Sequence, residues 1–306
     1  MSTLPPDISP TLSVVLIVRH PQETPDAVLA ALTSEREGLA EPAELEIIVA
    51  EGRPGAGAAS DDGSIRILQP GLNMPLLKAE GIALARAPHI AFLEPKGVPI
   101  AGWLRAALDA LRAHPDAALG GPVIEVKGNA PDRAAYAFEY SAFSRPRVSQ
   151  DPPADLPGNN MILPAALLRE FCGDILDTEG LNKPFCQARL KNNGVAVVMI
   201  PDLAVQLHTH YRLGSLLASR YRYARCFGGT RAALAPTARR WAYRLSAPIV
   251  PVLLLYRHIC ADFRVKGAQR LGPADMTALA VLCLAWSAGE AAGSWFGAGT
   301  YCENLY

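Results

Sequence analysis

Four short apolar, β-branched runs dominate the first third of the chain: SVVLIV at Ser13 to Val18, LEIIVA at Leu45 to Ala50, IRIL at Ile65 to Leu68 and HIAFL at His89 to Leu93. Between and after them lie stretches with helical spacing, Pro25 to Leu39, Met74 to Ala87 and Trp103 to Ala113. Strands this apolar are buried on both faces, so they belong in a mostly parallel α/β sheet with helices on each side. Open sheets of that kind bind ligands outside the carboxyl ends of their strands. The residues just past those ends therefore carry most weight: Arg19 and His20 after the first, Glu51 and Gly52 after the second, and Glu94, Pro95 and Lys96 after the fourth.

The later sequence changes character. Pro122 to Val126 reads as a strand, and Asn129 to Pro157, with five prolines, as a long loop holding one helical stretch. Gly158-Asn159-Asn160 leads into a strand at Met161 to Leu163 and a helix from about Pro164 to Phe171. Asn182 to Asn192 is expected to be helical and Val195 to Ile200 to be a strand. Basic amphipathic helices follow from Leu213 to Arg244, and then two apolar stretches, Leu245 to Tyr256 and Met276 to Gly289. Each apolar stretch is shorter than the roughly 20 residues that span a bilayer, which predicts helices lying in or dipping into a membrane surface. A buried helical hairpin is the competing reading.

Charge narrows the partners. Lys+Arg and Asp+Glu number 29 each, so nothing draws the whole chain to nucleic acid. Arginines 212, 220, 222, 225, 231, 239, 240 and 244 nevertheless sit in a stretch almost without acid, which fits either a surface facing anionic headgroups or a solvated, arginine-rich helix pair. Six scattered cysteines without C-x-x-C spacing argue against a zinc site and a disulfide framework, and fit a reducing cytosol. The polar, proline-rich start of the chain has no signal-peptide pattern.

Several short motifs then fall into one order. Ser13-Val14-Val15-Leu16-Ile17 resembles an opening S-V-V-I-P strand, and Glu46 to Gly52 resembles E-I-I-V-V-D-D. Lys78-Ala79-Glu80-Gly81 stands for R-N-x-G, Ala85 to Glu94 for A-x-G-x-x-I-x-F-L-D, and Pro99 to Leu104 for P-x-x-x-W-L. Gly158-Asn159-Asn160 matches G-x-N; Asp174, Asn182-Lys183 and Arg189-Leu190 keep the spacing of F-D-E, E-D and R-L; Val205 to His208 closes the series. Together, over roughly residues 12 to 230, these resemble family 2 glycosyltransferases of the GT-A type. The tail around Trp286 to Glu290 and Gly293 is similar to the membrane-associated ends of some members that build cell-surface polysaccharides.

The resemblance implies a Rossmann-like GT-A domain over 12–230 and a helical, membrane-associated region over 231–306. It implies transfer of a sugar from a nucleotide-sugar donor to a lipid-linked or cell-surface polysaccharide acceptor, at the cytoplasmic face of the membrane as a peripheral or monotopic protein. Partner enzymes of polysaccharide assembly would be neighbours. Arg19, Glu51, Lys78, Glu94, Lys96 and His208 fall at donor-binding positions, and Asn159, Asn160 and Arg189 on the acceptor side.

The acidic motifs depart from the family's pattern. Its Asp-x-Asp binds Mg or Mn across the diphosphate, whereas Glu94-Pro95-Lys96 stands here, and a protonated lysine is no metal ligand. Two readings stand: Lys96 supplies the compensating cation itself, or metal binding is lost and the site has decayed; the cofactor is left open, with Mg or Mn as the candidates the resemblance implies. The family's Glu-Asp base is replaced by Asn182-Lys183, which leaves a desolvated Lys183, or Glu179 one turn earlier on a shared helix, as the base. The alternative is a catalytically degenerate protein that binds a nucleotide sugar or serves as a scaffold at the membrane.

Overall fold

The computed structural model describes residues 10–19, 23–39, 44–52, 65–69, 71–126, 128–264, 266 and 270–302. His20 and most of the Gly/Pro-rich segment up to Gly63 lie outside them. The elements begin β1 (Leu12–Val18), α1 (Asp26–Glu37), β2 (Leu45–Glu51), β3 (Ile65–Leu68), α2 (Met74–Leu84), β4 (His89–Leu93), β5 (Gly97–Pro99) and α3 (Trp103–Ala113). They continue with β6 (Ala118–Gly120), β7 (Val123–Glu125), α4 (Ala130–Glu139), α5 (Arg145–Gln150), β8 (Asn160–Pro164), α6 (Ala165–Glu179), α7 (Lys183–Asn192), β9 (Val197–Met199) and β10 (Val205–Leu207). Last come α8 (Leu213–Leu234), α9 (Thr237–Ser246), α10 (Val250–Arg264) and α11 (Pro273–Phe296).

Two compact units result, one of residues 1–124 and 151–208, the other of 125–150 and 209–306. The boundary expected at 230 falls inside α8, and the segment 125–150, expected within the first domain, belongs to the second unit.

The first unit is built on a seven-stranded sheet of order β3-β2-β1-β4-β8-β6-β9. The apolar runs form its centre: β1 pairs in parallel with both β2 and β4, and β2 with β3. Every residue of β1 and β2 is buried, as a strand covered on both faces must be. The expected α/β class and mostly parallel sheet are what the structure has, with β8 running antiparallel between β4 and β6. A smaller sheet has the order β5-β10-β7, with the unit boundary falling at the last residue of β7. Phe92, Val15, Ile48, Leu77 and Leu168 meet in one core cluster between sheet and helices. Burying each such side chain stabilises the fold by about 1.5–3 kcal/mol.

Three polar side chains hold the layers in register. The buried Glu46 carboxylate accepts from Ser13 Oγ at 2.5 Å and from Arg86 Nε at 2.6 Å. Glu35 of α1 accepts from the backbone N–H groups of Gly102, Trp103 and Leu104, capping α3 from outside the helix. Asn160 is fully enclosed; its oxygen accepts from Trp103 Nε1 at 3.1 Å and its nitrogen donates to Leu203 O at 2.7 Å.

In the second unit the expected loop over Asn129 to Pro157 contains two helices instead of one helical stretch. Pro131 sits in the first turn of α4, where a missing N–H costs nothing, and Asn129 with Asp132 closes a capping box. Pro131 and Pro146 thus sit at helix starts, while Pro152, Pro153 and Pro157 lie in the irregular segment before β8.

Helices α8 and α11 lie backbone against backbone. A Cβ on Gly293 would stand 2.2 Å from Arg225 O, one on Gly289 2.3 Å from Tyr221 O, and one on Gly228 2.4 Å from Glu290 O. Arg231 and Glu290 pair across this contact, and Trp286 Nε1 donates to Glu290 Oε2 at 3.0 Å. The apolar stretch from Met276 is longer than expected: α11 has 24 residues and contains an 18-residue apolar window of mean hydropathy 1.3, long and apolar enough to cross a bilayer by length and composition. It is also a core helix of its unit, with 44% of that apolar window buried.

The arginine-rich stretch is partly internal. Arg220 pairs with Glu139, Arg240 donates to carbonyls at the end of α8, and Arg244 Nε donates to Ser294 O. The cysteine reading is corrected too. Cys226 of α8 and Cys302 form a disulfide across a sequence separation of 76. Sequence spacing cannot reveal a pair that only the folding of the tail onto α8 brings together. A disulfide also sits poorly with a reducing cytosol.

Candidate functional site

Parallel pairing puts the ends of β2, β1 and β4 along one sheet edge. Val18 is in register with Glu51, and Leu16 with Leu93, so Glu51 and Glu94 flank the end of β1 on either side. Gly52 follows Glu51, and the space a side chain would take there holds Leu77 Cδ1 and Arg19 Cδ, 2.7 and 2.9 Å from an ideal Cβ. The stem of Arg19 thus packs into the space beside Gly52. The Glu51 residue is fully buried.

Helix α2 delivers the next group. Asn73 caps it by accepting from Leu76 N, and Gly81 lets it press onto β1, since a Cβ there would meet Val15 Cγ1 at 2.3 Å. One turn before that contact, Lys78 reaches the end of β4. Its ammonium is buried, donates to Gly158 O at 3.1 Å, lies 3.7 Å from Glu94 Oε1 and stands 6.0 Å from the Phe92 ring centre.

Lys96 completes the arrangement, with Nζ 3.0 Å from Glu94 Oε2. The turn that brings it back is closed by Gly97 N donating to Glu94 O, and β10 is tied on by His208 N donating to Lys96 O at 2.7 Å. His208 is exposed at that rim. Lys183, at the start of α7, approaches from the other side. Gly158 is 3.5 Å from its Cδ by an ideal Cβ, and its Nζ is 3.7 Å from Asp155 Oδ2. Lys78 and Lys183 therefore converge on Gly158, while Lys78 and Lys96 bracket Glu94.

Electrostatics follow from that crowding. Burial pushes the Lys78 ammonium below the ordinary lysine range; Glu94 opposes the shift and Lys96 adds to it. Burial also pulls Lys183 down, with Asp155 opposing and Lys78 reinforcing. Asn159 is wholly enclosed beside Gly97, and neither its Oδ1 nor its Nδ2 has a hydrogen-bond partner. The arrangement can bind an oxyanion with ammonium groups and stabilise negative charge that grows on it.

A divalent cation does not fit here. Hard cations need several oxygen ligands. Both Glu94 oxygens instead face ammonium groups, at 3.7 and 3.0 Å, which would repel a metal. Among the described residues no cluster of three or more His, Cys, Asp or Glu side chains has metal-holding geometry.

Other predicted residues fall elsewhere. Glu179 is the exposed last residue of α6, and Gly180 at φ +71° separates it from α7, so it shares no helix with Lys183. The displaced-base geometry fails for that reason. Asn182 is the N-cap position of α7, without a side-chain capping bond. Arg189 pairs with Asp174 and donates to Phe171 O, joining α7 to α6 at the surface. Asn160 is the brace described above. Lys183 as a neighbour of Lys78, and Asp155, which no motif marks, gain their place from the loop ending at Gly158.

No protein-family profile and no curated protein matches this sequence. Among solved structures, the chain is similar to a mannosyltransferase from Pyrobaculum calidifontis in complex with GDP-Man and Mn2+. The two are 15% identical, with a TM-score of 0.45, over 94% of this chain and 75% of that one.

Proposed function

We propose that the protein is a glycosyltransferase that holds the diphosphate of a nucleotide-sugar donor with lysines in place of a divalent metal, and works at a membrane surface on a lipid-linked or cell-surface polysaccharide acceptor. The observation that carries this is the Lys78–Glu94–Lys96 group at the carboxyl edge of β4. The ordered motifs from Ser13 to His208 support the reaction class.

In this reading the donor phosphates displace part of the Glu94 interaction and pair with Lys78 and Lys96. Arg19 and Glu51 serve the nucleoside side of the same edge. The acceptor oxygen attacks the anomeric carbon, and the bond from that carbon to the β-phosphate oxygen breaks. The electron pair leaves on the nucleoside diphosphate, where the ammonium groups stabilise it. The acceptor proton passes to Lys183, whose lowered pKa makes the neutral amine more accessible at working pH.

A second reading has its own observation. No carboxylate occupies the base position at Asn182-Lys183, and Glu179 is not on that helix. A protein of this kind binds the nucleotide sugar without turning it over, as a scaffold for partner enzymes of polysaccharide assembly.

Titration with nucleoside diphosphates and nucleotide sugars, with and without Mg2+ or chelator, tests both. Metal-indifferent binding that is lost in Lys96→Ala supports the lysine site. Donor hydrolysis abolished by Lys183→Met separates the enzyme from the scaffold. No nucleotide binding under any condition removes both donor-based readings.

A further inference from the structure

The second unit carries a face that its own packing leaves uncovered. Along α9, the turn after it and α10, Trp241, Leu245, Ile249, Val252, Leu253 and Tyr256 are all exposed, from 47% at Trp241 to 70% at Leu245. Trp241 and Leu245 lie four residues apart on α9, Val252, Leu253 and Tyr256 fall on one side of α10, and Ile249 stands in the turn between them. Leu254, Leu255 and His258 point the other way, the two leucines against the core formed with α4 and α11 and the histidine buried. No residue of α9 is buried at all. Most of the surface of these six side chains, Trp241 apart, therefore lies open to solvent.

Its charge identifies the partner. Between Asp202 and Asp262 the chain has nine arginines and neither aspartate nor glutamate. Arg239 and Arg257 are exposed on the stripe's own helices. Arg244 lies 5.1 Å from the ring centres of both Trp241 and Trp295, an amphipathic aromatic–arginine stack at one end of the stripe. Exposed apolar residues with exposed arginines on the same helices, and tryptophan and tyrosine at the margins, match the chemistry of an anionic headgroup layer over acyl chains.

We infer that the outward stripe on α9 and α10 seats the protein in the plane of an anionic lipid bilayer, with α11 retained as a core helix of its unit. This rests on the membrane part of the reading above and names the surface and the lipid. Apolar burial into the interface would supply the affinity, and the arginines the preference for anionic lipid.

Flotation of the full-length protein with vesicles tests it, using phosphatidylcholine alone and an equal mixture of phosphatidylcholine and phosphatidylglycerol. The expected result is binding to the mixed vesicles, weakened on the order of thirtyfold in Arg239→Gln/Arg257→Gln. Ile249→Glu/Leu253→Glu, at exposed positions with an unchanged circular dichroism spectrum, should abolish it. Failure of the wild type to bind, or equal binding to neutral vesicles, overturns the inference. So does a concentration-dependent dimer that the glutamate variant dissolves, which would assign the stripe to a second copy. Nucleotide binding, measured without vesicles, is expected to be unchanged in these variants, so loss of the lipid result leaves the donor site standing and the reverse also holds.

Discussion

Lys78 and Glu94 face each other across 3.7 Å, both nearly shut off from solvent, one on a helix after the third strand and the other just past the fourth. A buried pair of this kind contributes little net stability, because desolvation offsets the attraction; removing one partner is what costs. Lys96 on the far side of the same carboxylate adds a second cation, so the group favours an arriving anion.

The pH dependence has a definite sign. Burial lowers the Lys78 pKa in the folded state, whereas the unfolded chain titrates near the ordinary value of about 10.4. Between those two values the unfolded state binds more protons, so this group makes stability rise with pH across that window. Nucleotide affinity should move oppositely, falling as the ammonium loses its proton. Urea midpoints and nucleotide titrations from neutral to alkaline pH check this, and a Lys78→Met protein that keeps the same stability slope would contradict it.

Asn160 and Asn159 adjoin in sequence but should respond differently. Asn160→Leu leaves Trp103 Nε1 and Leu203 O without their partner, which should cost about 1–3 kcal/mol in denaturant unfolding. Asn159 has an enclosed amide with no partner to lose, so Asn159→Leu should cost less than its neighbour. Equal losses would show that the orphaned amide is satisfied in solution.

Contact between α8 and α11 leaves no room for a side chain at Gly293. Gly293→Val forces the helices apart and should destabilise the second unit by about 1–3 kcal/mol or more. Thermal unfolding would register the change, while Gly214→Ala, in open space on α8, should be neutral or mildly stabilising.

Joining Cys226 to Cys302 closes a long loop. Cys302→Ser should lower stability by about 2–4 kcal/mol under oxidising conditions and have no effect once reductant is present. Thiol labelling after denaturation counts the cysteines directly: a wild-type protein with six reactive thiols without reductant would rule the bond out.

Much of the first unit could be read in the linear chain because its central strands are locally unambiguous. SVVLIV, LEIIVA and HIAFL have no polar face, so their burial and parallel pairing follow from composition. The residues after them, Arg19, Glu51 and Glu94 to Lys96, were legible for the same reason. Asp155 was not, since nothing local distinguishes it from any other loop acid. Glu179 shares a helix with Lys183 only if that helix runs through Gly180, where a positive φ ends it, and residue type alone does not mark that break.

By itself the sequence determined the α/β class, the edge at which polar groups gather, and the Glu94-Pro95-Lys96 triplet after the fourth strand. These depend on residue type and short-range period alone. The convergence of Lys78, Lys96 and Lys183, the Cys226–Cys302 bond and the glycine-tight helix pair were decided only in three dimensions. Each joins residues far apart in the chain, and which distant groups meet depends on how whole layers pack, a property no local window contains.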